Sequence, residues 1–331
     1  MTQVKQFAKR SRNLIIAYKI YDNWKMKRQF EAGVYESLHG STHSKLDTEK
    51  SLTYINEQYN DYLNYGQISP QSVRGQRVFE LGFGDNVGVA LRFLADDADH
   101  VTCLDKFYST RNNDQQRKIY QALRESLSRQ QQRRFDQAID LSAGIEINSE
   151  KLKCIYGVDV ENCNPVKDAE LFDLIISRAV IQDIYEPRQS FIAMDKLLIK
   201  GGCMLHKIDL SDQGMFRDSG MNPLTYLTIS ESIYRRMATD SAISNRKLGS
   251  YYKGLMNDLG YETTMLVTDV CGTTGKGDFC PHRENLDYDD ERVKKALTFV
   301  REIHPRLGSE FRRLSDDELM TAGVFMIARK R

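Results

Sequence analysis

A short glycine loop with acidic residues on both sides is the part of this sequence best suited to chemistry. Gly82 and Gly84 follow an apolar run that reaches Glu80, and glycine allows a backbone to approach a ligand where a Cβ would clash. A helical pattern begins after Asn86, so the loop lies beside the free N–H groups of a helix N-terminus. A second apolar run ends in Asp105, about 20 residues further on, where a carboxylate can hydrogen-bond ribose hydroxyls. The pattern predicts a nucleoside-binding site.

Two kinds of nucleoside ligand fit this loop. Dinucleotide sites use G-x-G-x-x-G, but Val87 occupies the third glycine position here and glycine returns one residue later, at Gly88. Glu80 and Asp85 add carboxylates around the loop, and these would repel a pyrophosphate. S-adenosylmethionine has a sulfonium, an ammonium and a ribose but no phosphate, so it suits the loop better. A dinucleotide-dependent dehydrogenase is the alternative.

At this point the chain resembles the class I S-adenosylmethionine-dependent methyltransferases. Residues 80–84 are similar to their first motif, and Asp105 is similar to their ribose-binding acid. Residues 154–159, 172–184 and 187–202 match later segments in the order that the family has, so the resemblance covers roughly residues 76 to 270. It implies an α/β fold with a Rossmann-like, seven-stranded, mostly parallel sheet and helices on both faces.

The resemblance also implies S-adenosylmethionine as the cofactor and a set of residues that bind it. Asp159 stands where the family holds the adenine amine, and residues 172–184 correspond to the fourth-strand motif. The predicted cofactor-binding residues are Glu80, Gly82, Gly84, Asp85, Asn86, Asp105, Lys106, Phe107, Asp159, Val160, Ser177 and Arg178.

Apolar runs that alternate with helical patterns place these residues on a parallel sheet, at the carboxyl ends of its strands. Residues 111–139 are long for one crossover helix and predict two. The predicted strands are 77–81, 101–105, 152–157, 172–177, 203–208, 263–270 and 324–328.

The rest of the chain divides around this sheet. We predict an N-terminal helical extension or lid over residues 1–75 and a methyltransferase domain over 76–331. The domain has an acceptor-binding insertion at about 209–255 and a helical excursion at about 271–320. A helix over 47–65 has an aromatic face that is either core or, as the resemblance implies, a cover for the cofactor, with residues 39–43 as its mobile approach.

The helix predicted over residues 4–30 is strongly basic. Its apolar and aromatic residues, at rough helical spacing, include Leu14, Tyr18, Tyr21 and Trp24. We interpret it as a helix packed on the catalytic domain with its charged face in water. The alternative is peripheral contact with anionic lipid or with a polyanionic acceptor.

Composition favours a soluble cytoplasmic enzyme. The 331 residues can bury a large core, and the net charge of +1 argues against a uniformly basic nucleic-acid binder. No run of about 18 apolar residues is present. The six cysteines are scattered, and several fall in strand-like runs as buried free thiols would, which suits a reducing compartment.

Methyl transfer to a hydroxyl needs a general base near the strand ends. His206 is the best candidate, because its unperturbed pKa of about 6.5 suits neutral conditions; alternatively, it is a hydrogen-bonded core residue. Asp209 would orient this base or bind acceptor hydroxyls, and Asp183 lies just beyond the fourth strand. We expect no metal, although Asp183, Asp209 and Asp212 could instead hold magnesium.

The acceptor is indicated only by similarity to a bacterial subgroup associated with surface-polysaccharide assembly. Residues 80–90, 103–107 and 206–212 carry that similarity, but Phe83 replaces the subgroup's usual proline. It implies O-methylation of a sugar or another small hydroxyl acceptor, with no nucleic-acid partner. The alternatives are a methyltransferase acting on RNA or protein, and a non-catalytic protein that binds an adenosyl ligand.

Overall fold

Residues 11–37, 40–162, 171–273 and 278–331 are described by the computed structural model, and alternating helices and strands dominate them. The helices are α1 (Arg12–Glu31), α2 (Thr48–Gly66), α3 (Gly88–Ala95), α4 (Asn113–Glu125), α5 (Arg129–Ala138), α6 (Pro187–Leu197), α7 (Glu231–Ala238), α8 (Gly249–Asp258), α9 (Glu291–Ile303) and α10 (Asp316–Met320). The strands are β1 (Glu36–Ser37), β2 (Arg77–Leu81), β3 (His100–Asp105), β4 (Tyr108–Ser109), β5 (Ile139–Asp140), β6 (Glu146–Ile147), β7 (Leu152–Tyr156), β8 (Phe172–Arg178), β9 (Leu198–Asp209), β10 (Tyr261–Val270) and β11 (Thr321–Lys330).

Seven strands form one sheet in the order β10-β11-β9-β8-β2-β3-β7. Strand β2 pairs in parallel with both β3 and β8, and β3 pairs in parallel with β7. The predicted α/β fold with a seven-stranded, mostly parallel sheet is therefore confirmed, and each of the seven predicted strands is present. The central strands are buried because their sequences are almost continuously apolar, as Val78 and Phe79 of β2 illustrate.

Two connections show how local sequence sets the helix boundaries. Residues 111–139 form two helices as predicted, because Ser128 and Gln131 make a reciprocal capping box that begins α5. Helix α6 ends at Leu197, and β9 begins at once with Leu198, whose side chain is buried.

The chain groups into two compact units, each described by itself. The first unit comprises residues 33–178, 189–206 and 327–331, and the second comprises residues 1–32, 179–188 and 207–326. Helix α1 belongs to the second unit and α2 to the first, so these units do not follow the boundary predicted at residue 75. That boundary stays a prediction.

Helix α2 is a packed element of the first unit. Asp47 caps it by accepting a hydrogen bond from the backbone N–H of Lys50. Tyr59 is buried, and its ring meets the ring of Phe93 on α3 edge to face, with centroids 4.9 Å apart. The aromatic face predicted for this helix therefore contributes to the core.

Helix α1 packs in the second unit through a narrow face. Ile15 and Asn23 are buried, and the Asn23 side-chain oxygen accepts hydrogen bonds from the backbone N–H groups of Asp240 and Ser241. The apolar and aromatic face predicted from the spacing is exposed instead, because the helix packs through the residues on its opposite side. Its exposed fractions are 49% for Leu14, 60% for Tyr18, 57% for Tyr21 and 55% for Trp24. Among the described residues, no helix has the length and apolar content needed to cross a membrane.

Candidate functional site

The candidate site lies in the first unit, at the point where the strand order reverses. The chain passes from β2 to β3 and β7 on one side, and then returns to β8 on the other side of β2. Ligands of open α/β sheets bind at such a reversal, outside the carboxyl ends of the strands. The loop from Gly82 to Val87 leaves β2 at this end and leads into α3.

Asp105 connects the glycine loop to the end of β3. One carboxylate oxygen accepts a hydrogen bond from the backbone N–H of Gly84 at 3.0 Å, and the other accepts from that of Phe107 at 3.0 Å. Burial raises the pKa of Asp105, and these two amides partly oppose that shift. The carboxylate retains acceptor capacity, because each of its oxygens has a second lone pair.

Glu80 is a buried acid beside the same loop. It is 7% exposed, and burial raises its pKa to about 7. The Cys103 thiol donates a weak hydrogen bond to its carboxylate, with sulfur and oxygen 3.6 Å apart. Within the described ranges, no basic side chain lies at ion-pair distance from Glu80 or Asp105. Both acids would therefore be stabilised by a cationic ligand.

The backbone N–H groups of the loop are largely used within the protein. Those of Asp85, Val87 and Gly88 donate to Gly40 O, to the hydroxyl of Tyr120 and to the Asn86 side chain, at 3.2, 3.1 and 2.7 Å. A dinucleotide pyrophosphate normally binds such groups at the helix N-terminus. A pyrophosphate at this loop would have to displace these hydrogen bonds while facing the carboxylates of Glu80 and Asp105.

A segment upstream of α2 packs directly on the glycine loop. The Asp85 carboxylate accepts hydrogen bonds from the backbone N–H groups of His43 and Ser44, at 3.3 and 2.9 Å. Gly84 has φ +64°, and a Cβ there would lie 2.5 Å from Gly40 O. Gly84 therefore allows close approach of the protein's own backbone, and its predicted role beside a ligand stays a prediction. His39, part of the predicted approach to the lid, lies outside the described residues.

The residues predicted to surround the nucleoside also have protein partners. Lys106 Nζ lies 3.1 Å from the Asp159 carboxylate and 5.8 Å from the centroid of the Phe107 ring. Val160, next to Asp159, is buried. This ion pair joins the loop after β3 to the loop after β7, as expected for residues that share one end of the sheet.

At the end of β8, Ser177 and Arg178 have separate contacts. Ser177 Oγ shares a 2.7 Å hydrogen bond with His206 Nδ1. Arg178 donates to the Asp61 carboxylate at 2.8 Å, and its guanidinium lies 5.8 Å from the centroid of the Tyr54 ring. Since Tyr54 and Asp61 belong to α2, this helix covers the carboxyl end of β8.

The structure does not support His206 as the general base. The imidazole has no exposed surface, and its ring meets that of Phe191 edge to face, with centroids 5.5 Å apart. Burial lowers its pKa to about 3, so it is neutral at physiological pH. A general base must reach the proton that it removes. This environment matches the alternative interpretation of His206 as a hydrogen-bonded core residue.

Asp183, Asp209 and Asp212 belong to the second unit and have different local partners. Asp183 accepts a hydrogen bond from the Gln213 side chain at 2.8 Å, and Asp209 accepts one from the backbone N–H of Ser211 at 2.8 Å. Asp212 is buried and accepts from three backbone N–H groups, which bind both of its oxygens. No group of three potential ligands suited to a metal occurs in the described part of the chain. The magnesium alternative gains no support, and the roles of Asp183 and Asp209 stay predictions.

Arg111 is a site residue that the sequence reasoning missed. It donates to Gly84 O at 3.0 Å, and its guanidinium lies over the rings of Tyr108 and Tyr156, 4.7 and 5.4 Å from their centroids. It thereby places a positive charge near the carboxylate of Asp105. The available signal was that Arg111 closely follows the exposed Tyr108 beyond β3. The second ring that Arg111 packs on, Tyr156 of β7, is distant in sequence.

The chain matches no protein-family profile and no curated protein sequence. Solved structures show distant similarity to it. The carbon methyltransferase CurJ has 10% identity and a TM-score of 0.35 over 78% of this chain and 49% of that chain, so this chain spans about half its length. Magnesium protoporphyrin IX methyltransferase from Synechocystis PCC 6803, with bound SAH, has 9% identity and a TM-score of 0.39 over 85% and 83%.

A third structure is an arsenic(III) S-adenosylmethionine methyltransferase from Chlamydomonas reinhardtii. It has 13% identity and a TM-score of 0.36 over 79% of this chain and 64% of that chain. All three have the word methyltransferase in their names. The similarity is too low to support a conclusion about ligand or reaction, which depends on the site itself.

Proposed function

We propose that this chain binds S-adenosylmethionine at the reversal point of the sheet and transfers its methyl group. The observation that carries the proposal is a pair of acids, the buried Glu80 and the half-buried Asp105, beside a loop whose N–H groups are largely used within the protein. Such a site favours a ligand with positive charge and no phosphate. S-adenosylmethionine has that character, whereas a dinucleotide has the opposite charge.

Within this proposal each acid has a separate task. Asp105 accepts hydrogen bonds from the ribose hydroxyls through the lone pairs that Gly84 and Phe107 leave available. Glu80, once ionised, stabilises the positive charge of the methionine part. Lys106, Asp159 and Val160 line the adenine side.

The chemistry is an in-line displacement. The acceptor oxygen forms a bond to the methyl carbon as the carbon–sulfur bond breaks, and the electron pair of that bond stays on sulfur. The hydroxyl proton leaves to a base or to water. The protein's main contribution is to hold the three reacting atoms collinear.

The acceptor belongs to the proposal as the hydroxyl of a sugar or of another small molecule, methylated in the cytoplasm. Its support is the sequence similarity of residues 80–90, 103–107 and 206–212. Incubation with radiolabelled S-adenosylmethionine and separate fractions of cell-envelope extract, nucleic acid and protein tests it. We expect the label in the cell-envelope extract, on a glycan or on another small hydroxyl acceptor. Label confined to RNA or protein would instead establish the macromolecular alternative, and binding without label in any fraction would indicate a non-catalytic protein.

Cofactor binding has its own test. Titration calorimetry of the full chain with S-adenosylhomocysteine should show one site, and Asp105→Asn should weaken it roughly 10-fold or more through loss of charged hydrogen bonds. Asp140→Asn is the matched control, since Asp140 is exposed and also accepts a backbone N–H, from Ser142. Tight NADH binding without S-adenosylhomocysteine binding would overturn the proposal in favour of a dehydrogenase.

We also propose that α1 makes peripheral contact with an anionic membrane surface. Leu14, Tyr18, Tyr21 and Trp24 are exposed, and the Arg28 guanidinium lies 5.7 Å from the centroid of the Trp24 ring. Exposed aromatic and basic residues on one helix are typical of interfacial binding.

A further inference from the structure

Glu80, Cys103 and Cys154 form one row across three neighbouring strands. Glu80 on β2 is paired in register with Cys103 on β3, and Cys103 is paired in register with Cys154 on β7. The Cys103 thiol donates to the Glu80 carboxylate, and Cys154 lies beside Cys103 on the neighbouring strand. The row lies close to the carboxyl ends of its strands, beside the candidate site.

The backbones of Cys103 and Cys154 are close enough for a covalent bond between their side chains. Neighbouring strands are about 4.8 Å apart, and register partners project to the same face of a sheet. Disulfides join residues whose Cα atoms are roughly 4.4–6.8 Å apart. As register partners on adjacent strands, Cys103 and Cys154 therefore meet the Cα requirement for a disulfide, and both are free thiols.

Their environments give the two thiols different reactivities. Cys103 is fully buried, and burial raises the pKa of its thiol. Cys154 is partly exposed, and the neighbouring Cys103 thiol and the positive charge of Arg111 lower its pKa. A thiol with a lowered pKa that an oxidant can reach, beside a second thiol on the adjacent strand, is the arrangement of a reversible redox pair.

We propose that Cys154 and Cys103 are a modification site, at which hydrogen peroxide or an organic hydroperoxide forms a reversible intramolecular disulfide. The Cys154 thiolate attacks the peroxide, the O–O bond breaks, and the products are the sulfenic acid of Cys154 and hydroxide or alkoxide. The Cys103 sulfur then attacks the Cys154 sulfur and forms the S–S bond as the S–O bond breaks, and the departing hydroxide takes up the Cys103 proton and leaves as water. The two thiols are oxidised by two electrons and one peroxide is reduced.

The disulfide would change the candidate site through Glu80. A sulfur in a disulfide carries no proton, so Cys103 could no longer donate to the Glu80 carboxylate. The carboxylate would then ionise less readily and attract a cation less strongly. This consequence rests on the proposed function, whereas formation of the disulfide does not.

The test of the modification site uses the full-length protein and no ligand. The chain is treated with increasing hydrogen peroxide, its remaining thiols are alkylated, and its peptides are mapped by mass spectrometry. We expect loss of two thiols at the lowest effective dose, a bond between the peptides of Cys103 and Cys154, and full reversal by dithiothreitol. Cys154→Ser should abolish the bond, and Cys203→Ser, a buried thiol on β9, should leave it intact. Oxidation of the exposed Cys280 without a bond between Cys103 and Cys154 would overturn the inference.

A second measurement tests the effect on the site. Affinity for S-adenosylhomocysteine is compared before and after oxidation, in the wild type and in Cys154→Ser. If the lost hydrogen bond raises the pKa of Glu80 by about one unit, oxidation weakens wild-type binding about 5-fold near pH 7 and leaves the variant unchanged. Unchanged wild-type affinity with a mapped disulfide would refute this coupling. Absence of binding to the reduced protein would refute the proposed function and leave the peptide result standing.

Discussion

Replacing Glu80 by glutamine tests the buried acid on which the proposed site depends. The substitution keeps the shape of the side chain and an oxygen that can accept from Cys103. Burial raises the pKa of Glu80 from 4.5 to about 7. At about 1.4 kcal/mol per pH unit, ionising this group in the folded chain costs ~3 kcal/mol.

The sign of the pH dependence follows from proton binding. Between pH 4.5 and about 7 the folded chain keeps the Glu80 proton and the unfolded chain does not, so wild-type stability decreases as pH rises. Glu80→Gln removes this loss. We expect the variant to be up to ~3 kcal/mol more stable than the wild type at pH 8, and of similar stability near pH 4.5.

Ligand binding should change in the opposite direction. If a cationic ligand requires ionised Glu80, wild-type affinity for S-adenosylhomocysteine, which retains the ammonium, is about 10-fold higher at pH 8 than at pH 6. The variant should bind more weakly and without this pH dependence. Denaturant unfolding at several pH values measures the first effect, and titration calorimetry measures the second. A variant that is no more stable than the wild type at pH 8, or that binds with wild-type affinity, would refute the reasoning.

Three further predictions concern other features. Gly84→Val should lower the melting temperature by several degrees and abolish ligand binding, because its Cβ would meet Gly40 O at positive φ; unchanged melting would contradict this. His206→Gln should remove the acid sensitivity that comes from a histidine that is neutral in the folded chain. Between pH 6.5 and 5, urea titrations should show the wild type losing ~2 kcal/mol more stability than the variant. Equal losses would contradict burial of the neutral form. Trp24→Ser should reduce sedimentation with anionic lipid vesicles at least several-fold and leave S-adenosylhomocysteine binding unchanged, whereas equal sedimentation would exclude α1 as the contact.

The fold was predictable because its signals are local. The apolar runs of β2 and β3 are separated by a glycine loop and a helical pattern, and that order alone predicts parallel strands. The capping residues Ser128 and Asp47 also lie within three positions of the amides that they bind. Pattern and structure therefore agree closely for the elements of the sheet.

The side-chain environments were not predictable to the same degree, because they depend on contacts distant in sequence. His206 is near the end of a strand, and nothing local decides whether its ring meets the solvent or Phe191. Gly84 requires glycine because of Gly40, which comes 44 residues earlier. The exposure of the aromatic face of α1 could not be predicted for the same reason. Residue spacing identifies an apolar stripe, but it does not show which side of the helix packs against the protein.

Asp85 has a consequence for dissecting this protein into smaller pieces. Its carboxylate binds the amides of His43 and Ser44, and Gln115 on α4 donates to the carbonyls of His43 and Leu46. A shortened chain that begins at residue 76 would remove both backbone donors of the Asp85 carboxylate. Such a fragment would retain every strand of the large sheet and still lose the groups that hold its glycine loop in place.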